Sequence, residues 1–225
     1  MNITVTKNPK PGTIPAADQL GFGKHFTDHM FLMNYDAGQG WHDARIVPYG
    51  PLSLDPSCMV FHYAQELFEG MKAYRTPTGE VQLFRPVENA RRFNNSCCRM
   101  CIPTIDEECF VEAVKAVVDV DREWVPKQQG TSLYIRPFVF ATDASLGVHA
   151  SHSYLFVIIL SPVGSYYAGG LDPVKIYVET EDVRAVRGGT GFAKCGGNYA
   201  CSLRAGERAE ENGYSQVLWL DGVYR

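Results

Sequence analysis

GGTGFAKCGG, residues 188–197, has glycine at five of its ten positions, where average usage would place about one. A phosphate-binding P-loop needs GxxxxGK[ST]; Ala193 stands before Lys194 and Cys195 after it, so that pattern fails. The dinucleotide fingerprint GxGxxG fails too, because Gly189-Thr190-Gly191 leads to Lys194 where the third glycine belongs. What is left is a lysine with little side chain around it. Such a backbone lets a ligand come close, and a deprotonated lysine amine is the group that forms Schiff bases. A surface loop with an incidental lysine is the competing reading of these residues on their own.

On the C-terminal side of this stretch, Asn198 to Asn212 predicts a helix closed by Gly213. Gln216–Leu220 predicts a strand, followed by Asp221-Gly222. An Asp-Gly pair after an apolar strand is a hairpin-turn signal. Only Val223, Tyr224 and Arg225 follow it, so the chain is expected to be cut off before the partner strand.

On the N-terminal side, Val174–Val178 predicts a strand and SPVGSYYAGGLDP, residues 161–173, a linker. Tyr154 to Leu160 is a continuous apolar strand, as in a sheet covered on both faces, and Ser132 to Ala141 alternates. Thr104-Ile-Asp-Glu107 fits a capping box opening a helix that runs to about Trp124. Pro86 suits the first position of a helix running to about Met100. Lys72–Tyr74 and Val81–Phe84, around a turn at Pro77-Thr78-Gly79, predict a hairpin. Ser57 to Met71 predicts a helix with Met59, Tyr63, Leu67 and Phe68 on one face. Residues 26–56 suggest hairpins and residues 1–25 an irregular arm.

The 225 residues are 45% hydrophobic and 20% charged, ordinary globular usage. A net charge of -4 and a pI near 5.9 argue against a nucleic-acid platform. The longest apolar run, Tyr154 to Leu160, is seven residues, against the roughly 20 that a membrane helix needs. MNITVTKNPKPGTIP has neither the apolar core of a signal peptide nor an Arg-rich, acid-poor character, so the expected compartment is the cytoplasm. The seven cysteines are an odd set, read as reduced and partly buried small hydrophobes. Cys98-Arg-Met-Cys101 is formally a CxxC, for which a redox role is the minor alternative. His149 and His152 form an isolated HxxH, and no metal site is expected.

Four motifs in order, HYAQELFEGMKAYR at 62–75, FRPVENARRF at 84–93, YIRP at 134–137 and GGTGFAKCGGNYA at 188–200, resemble the branched-chain aminotransferases. These are fold-type IV pyridoxal-phosphate enzymes. The resemblance implies an α/β fold: a small α+β domain over residues 1–165, a linker over 166–173, and the start of a larger mixed α/β cofactor domain over 174–225. Lys194 resembles the lysine that holds pyridoxal phosphate as a Schiff base and shuttles the substrate proton. Arg92 resembles the arginine gripping the cofactor phosphate, with neighbouring Arg91 the alternative. Tyr199 matches the tyrosine bonded to the cofactor's phenolic oxygen, and Arg184 a supporting arginine behind it. Tyr63 and Phe68 match aromatic walls of the substrate side-chain pocket; Tyr134 and Arg136 match the pair near the substrate carboxylates. Leu146-Gly147-Val148 resembles a loop that reaches the neighbouring subunit's site, which implies a homodimer.

The implied reaction moves the amino group of Leu, Ile or Val to 2-oxoglutarate. The same resemblance implies a later glutamate and further phosphate ligands that this sequence does not reach, so a non-catalytic folding or dimer-forming module is the alternative from another class. A D-amino-acid aminotransferase or an aminodeoxychorismate lyase is the alternative within fold type IV, and HYAQELFEGMKAYR and YIRP speak against both.

Overall fold

The computed structural model describes residues 1–164 and 172–225. The expected linker at 166–173 falls mostly on residues outside that range. The first region is a mixed sheet built on β2 (His29–Asp36), β3 (Gly40–Pro48), β5 (Met71–Arg75), β6 (Val81–Leu83), β7 (Ser132–Ala141) and β8 (Ser153–Val163). With β1 (Thr4–Val5) at one edge, the strand order is β1-β3-β2-β8-β7-β5-β6; β4 (Glu66–Phe68) adds to β7. Apart from the parallel β1–β3 pair, the pairings are antiparallel.

β8 lies between β2 and β7 and is apolar along both faces because both faces are covered. On one side Phe31, Phe156, Phe93 and Phe110 form an aromatic core, Phe156 lying 5.4 Å from Phe93 and 5.7 Å from Phe110. Phe93 comes from α2 (Pro86–Met100) and Phe110 from α3 (Glu107–Val120), the two helices that pack on this face. On the other side Met30, Leu32, Phe140, Leu155 and Val157 form a smaller cluster. The second region holds β9 (Ile176–Glu179), α4 (Gly197–Ala200), α5 (Leu203–Glu211) and β10 (Gln216–Trp219). There β9 and β10 pair in parallel as a two-stranded sheet.

Several expectations are corrected. The helix expected over Ser57–Met71 stops at Tyr63: α1 spans Met59–Tyr63, and Ala64 turns left-handed with φ 49°. The chain then enters β4, because pairing Leu67 with Val139 buries it completely within the sheet. The buried Gln65 side chain secures the reversal by donating to the carbonyl of Met100 and accepting from the amide of Ser151.

The cap of α3 is Asp106, whose carboxylate accepts from the Cys109 amide at 3.0 Å, rather than Thr104. That helix ends at Val120, and Arg122–Trp124 is a separate 3-10 turn. The single helix expected over Asn198–Asn212 is divided into α4 and α5 at Cys201-Ser202. The N-terminal arm is not wholly irregular: β1 pairs with Arg45 and Ile46. Asp28 accepts from the Gly12 amide at 2.7 Å, and buried His29 accepts from the Asn8 amide while donating to Asp121 at 2.6 Å. The cysteines are all free; Cys58, Cys97 and Cys195 are buried, and Cys98, Cys101 and Cys201 are exposed.

Candidate active site

Lys194 sits where the second region meets the first. Its neighbours Ala193 and Cys195 are buried in the main core, so the glycine-rich stretch is pinned on either side of the lysine. Asn198, buried in α4, closes the stretch from below: its amide donates to the carbonyls of Thr190 and Ala193 at 2.8 and 2.6 Å, and its oxygen accepts from the Thr190 hydroxyl. The Lys194 amide donates to the buried Ser96 hydroxyl at 2.9 Å, and the Lys194 carbonyl accepts from the Phe68 amide at 3.0 Å. Glu66 accepts from the Gly196 amide at very close range. A side chain at Gly196 would have to displace that carboxylate. The backbone of the lysine is thus held by α2 and β4.

The Lys194 ammonium donates to the Tyr199 hydroxyl at 2.6 Å. It lies 4.5 Å from the Phe68 ring centre and 5.0 Å from that of Tyr199, and the two rings are 4.9 Å apart. A cation held against two aromatic faces is favourably placed yet keeps its end free of a carboxylate partner. The Arg184 guanidinium also lies against Tyr199, 5.7 Å from the ring centre.

Arg136 covers Phe68, with its guanidinium carbon 4.4 Å from the ring centre, and donates to the Tyr134 hydroxyl at 2.8 Å. No carboxylate lies in ion-pair reach of Arg136 among the described residues, and its buried Nε has no partner. A buried N–H donor without a partner is unfavourable, which marks this corner as a place for an acceptor such as a carboxylate. Tyr134 reaches it because residue 70 is glycine; a side chain there would collide with the tyrosine hydroxyl. Glu66, the carboxyl facing this corner, has its pKa raised by burial, opposed by the Gly196 amide and the Arg136 charge.

Arg92 and Arg91 differ in their partners. Arg91 is an exposed residue paired with Glu88 at 2.9 Å and Glu107 at 3.2 Å. Arg92 makes a bidentate pair with Glu69, at 2.6 and 2.8 Å, which leaves its second terminal nitrogen free of that carboxylate. Glu69 is fully buried while the Arg92 side chain is 54% exposed, so the acid orients an arginine whose outer edge remains open. Asn89 and the Gly70 amide also donate to Glu69, at 2.9 and 3.1 Å. The Glu69 hydrogen bond raises the Arg92 pKa, and the Arg92 carbonyl accepts at 3.1 Å from the same Ser96 hydroxyl that receives the Lys194 amide, which links the arginine to the lysine.

The structure therefore brings together Lys194, Tyr199, Phe68, Arg136, Tyr134, Arg184 and Arg92. Tyr63 stands outside these contacts: its hydroxyl donates to the Leu146 carbonyl of the Leu146-Gly147-Val148 loop. The helix break at Ala64 is what separates it from Phe68. Ser96, Glu66, Glu69 and Asn198 were not singled out from the sequence, although each holds a named site residue in place. Nothing local marks Glu69, which follows Glu66, Leu67 and Phe68 in the link from β4 to β5; the others look like ordinary polar residues until the chain is folded.

The residues present fit pyridoxal phosphate: an amine, a phenol 2.6 Å from it, an aromatic wall and an open-edged arginine converge. No protein-family model matches the chain. It is 58% identical over 223 residues to branched-chain-amino-acid aminotransferase 2 of Bacillus subtilis, an alignment covering 99% of this chain and 60% of that protein. Among solved structures it matches the branched-chain amino acid aminotransferase of Escherichia coli with TM-score 0.68 and 25% identity, over 84% of this chain and 60% of that one. A T.th. branched-chain amino acid aminotransferase with pyridoxamine 5'-phosphate matches with TM-score 0.67 and 26% identity, over 85% and 59%. The fold is fold type IV, the mixed α/β class of these neighbours. Within it, the chain belongs to the branched-chain-amino-acid aminotransferase family. It spans about 60% of the length of the curated relatives it matches.

Proposed function

We propose that this chain carries the lysine, phosphate arginine and substrate arginine of a branched-chain-amino-acid aminotransferase that moves the amino group of Leu, Ile or Val to 2-oxoglutarate. The observation that carries the reading is the Lys194 amine, 2.6 Å from the Tyr199 hydroxyl and wedged against Phe68 in a glycine-rich stretch. Pyridoxal phosphate, when bound there, supplies the electron sink of the reaction.

The protein's own work is to bind and to move a proton. Lys194 holds the cofactor and then carries the proton to and from the substrate carbon as base and acid. Tyr199 bonds the cofactor's phenolic oxygen, with Arg184 supporting the ring. Arg92, oriented by Glu69, presents its open edge to the phosphate, for which a fixed guanidinium is well suited. Arg136, backed by Tyr134, binds a carboxylate of glutamate or 2-oxoglutarate. Phe68 walls the side-chain pocket; burying a branched aliphatic group against it is worth roughly 1.5–3 kcal/mol. Leu146 and Val148, both strongly exposed, are the surface through which the chain meets a second copy as a homodimer. We place the domain boundary at the 166–173 segment and the protein in the cytoplasm. Among the described residues no helix is long and apolar enough to cross a membrane.

The test is a visible absorbance spectrum of the purified chain with added pyridoxal phosphate, beside Lys194→Ala. The expected result is a visible band that the alanine variant lacks, followed by a leucine and 2-oxoglutarate turnover assay. A spectrum unchanged by the substitution would favour the reading of a folding or dimer-forming module, for which the two-stranded β9–β10 sheet, exposed on apolar residues, already speaks.

A further inference from the structure

The geometry points to a second binding site: Asp143, His149 and His152 form a site for a divalent transition ion of the zinc type. One donor atom from each lies within 4.8 Å of the other two, and among the described residues this is the one such grouping of three. The HxxH pair lacked a third ligand in sequence; the turn after β7 supplies it by folding Asp143 back against the start of β8.

The donors are already aimed. Asp143 accepts from the His152 amide and the Ser153 hydroxyl, both at 2.8 Å, which fixes the plane of its carboxylate. Its outer oxygen lies 2.9 Å from Nδ1 of His152. Tetrahedral zinc with bonds of about 2.0–2.2 Å spaces its ligand atoms about 3.3–3.6 Å apart, so this pair opens by about half an ångström to take an ion between its two atoms. His149 pairs Nδ1 with the Ala150 carbonyl at 2.9 Å as donor, which fixes the tautomer that leaves the Nε2 lone pair free. The two imidazoles face each other with centres 5.3 Å apart. Binding replaces the His152–Asp143 hydrogen bond: the Nδ1 proton moves to Nε2 of a neutral ring or leaves an imidazolium for solvent, and Nδ1 and the carboxylate then donate to the ion. Water completes the coordination.

Two imidazoles and one carboxylate select zinc, cobalt or nickel over magnesium or calcium, which prefer all-oxygen sites. The ligands bracket Leu146-Gly147-Val148, so an ion would fasten both ends of the loop whose Leu146 carbonyl holds Tyr63.

Calorimetric titration of the reduced chain with zinc chloride tests this, with His149→Ala/His152→Ala and Cys98→Ser/Cys101→Ser run alongside. Both histidines are exposed, so the first variant keeps the fold, which circular dichroism checks. The expected result is one zinc equivalent that survives in the serine variant and is lost in the alanine variant. Cobalt in the same site should give ligand-field bands without thiolate charge transfer. Equal zinc binding by the alanine variant, loss of binding in the serine variant, or no zinc binding by the parent chain would each overturn the proposal. None of these readouts involves pyridoxal phosphate or turnover, so this site and the aminotransferase reading stand or fall separately.

Discussion

Residues 1–164 and residues 172–225 are built on opposite plans. In the first region β8 is flanked on both edges and covered on both faces, and Phe156 on it is completely buried. In the second, two short parallel strands pair only with each other among the described residues, and Ile176, Val178 and Leu218 are 50%, 47% and 52% exposed. Parallel sheets are ordinarily covered on both sides. The lysine belongs by sequence to the second region, yet its order comes from the first, through Ser96, Phe68 and Glu66. A reactive residue held in this way is as rigid as the surface it rests on, not as the segment it comes from.

That contrast is open to measurement. The largest effect is expected from Phe156→Ala, which empties the centre of the aromatic core: a loss of about 3–5 kcal/mol in urea unfolding. A loss under about 1 kcal/mol would mean that the core is not the source of the first region's order. Next, Asn198→Ala removes the staple under the lysine, takes the Asn198 donor from the Ala193 carbonyl and leaves the Thr190 carbonyl with the Ala193 amide alone, a local effect of about 1–3 kcal/mol. Hydrogen exchange should quicken by one to two powers of ten across residues 188–197 while the amides of β8 stay unchanged. Equal quickening in β8 would break the distinction between the two regions.

Glu66→Gln is a finer probe of the seam. Burial raises the Glu66 pKa in the folded chain, ahead of the opposing Gly196 bond and Arg136 charge, so the charged form is the disfavoured one. The stability associated with neutral Glu66 is therefore present below the unfolded carboxyl value and is lost as pH rises through the folded one. Glutamine keeps the acceptor for the Gly196 amide and removes the charge. The variant should match the parent in acid and exceed it modestly at neutral pH; a neutral-pH loss would show that the carboxylate charge itself holds the seam. The smallest effect is expected from Leu218→Ala, within about 0.5 kcal/mol, as for an exposed side chain. A loss of about 2 kcal/mol or more, outside that surface range, would show that β10 is covered in solution.

Much of this arrangement was legible beforehand, for identifiable reasons. β7 and α2 follow from alternation and from Pro86, and their observed ranges match. The Ser57–Met71 stretch misled because Met59, Tyr63 and Leu67 keep helical spacing. Only the pairing of Leu67 with Val139, 72 positions along the chain, makes a strand the better use of it. Lys194 was visible from glycine content and Arg92 from a motif, but not what holds them. Glu69 and Ser96 act on residues far away in sequence, and no local pattern announces such partners. Asp143 is different, lying only nine residues before His152, and it is the turn between β7 and β8 that brings it against the histidine pair.

The parallel pairing of β9 with β10 also carries a consequence for the order of events in folding. Gln216 meets Ile176 only after the whole intervening crossover, Lys194 included, has been looped out. Closing a flexible loop of about 40 residues costs about 3 kcal/mol in chain entropy, whereas β2 and β3 meet across the short turn at Asp36–Gly40. Hairpins of that kind form within microseconds. The β2–β3 hairpin is therefore expected to form before the crossover that carries the lysine closes, and the long-range pairing of β2 with β8, Phe31 against Ile158, is subject to the same entropic delay.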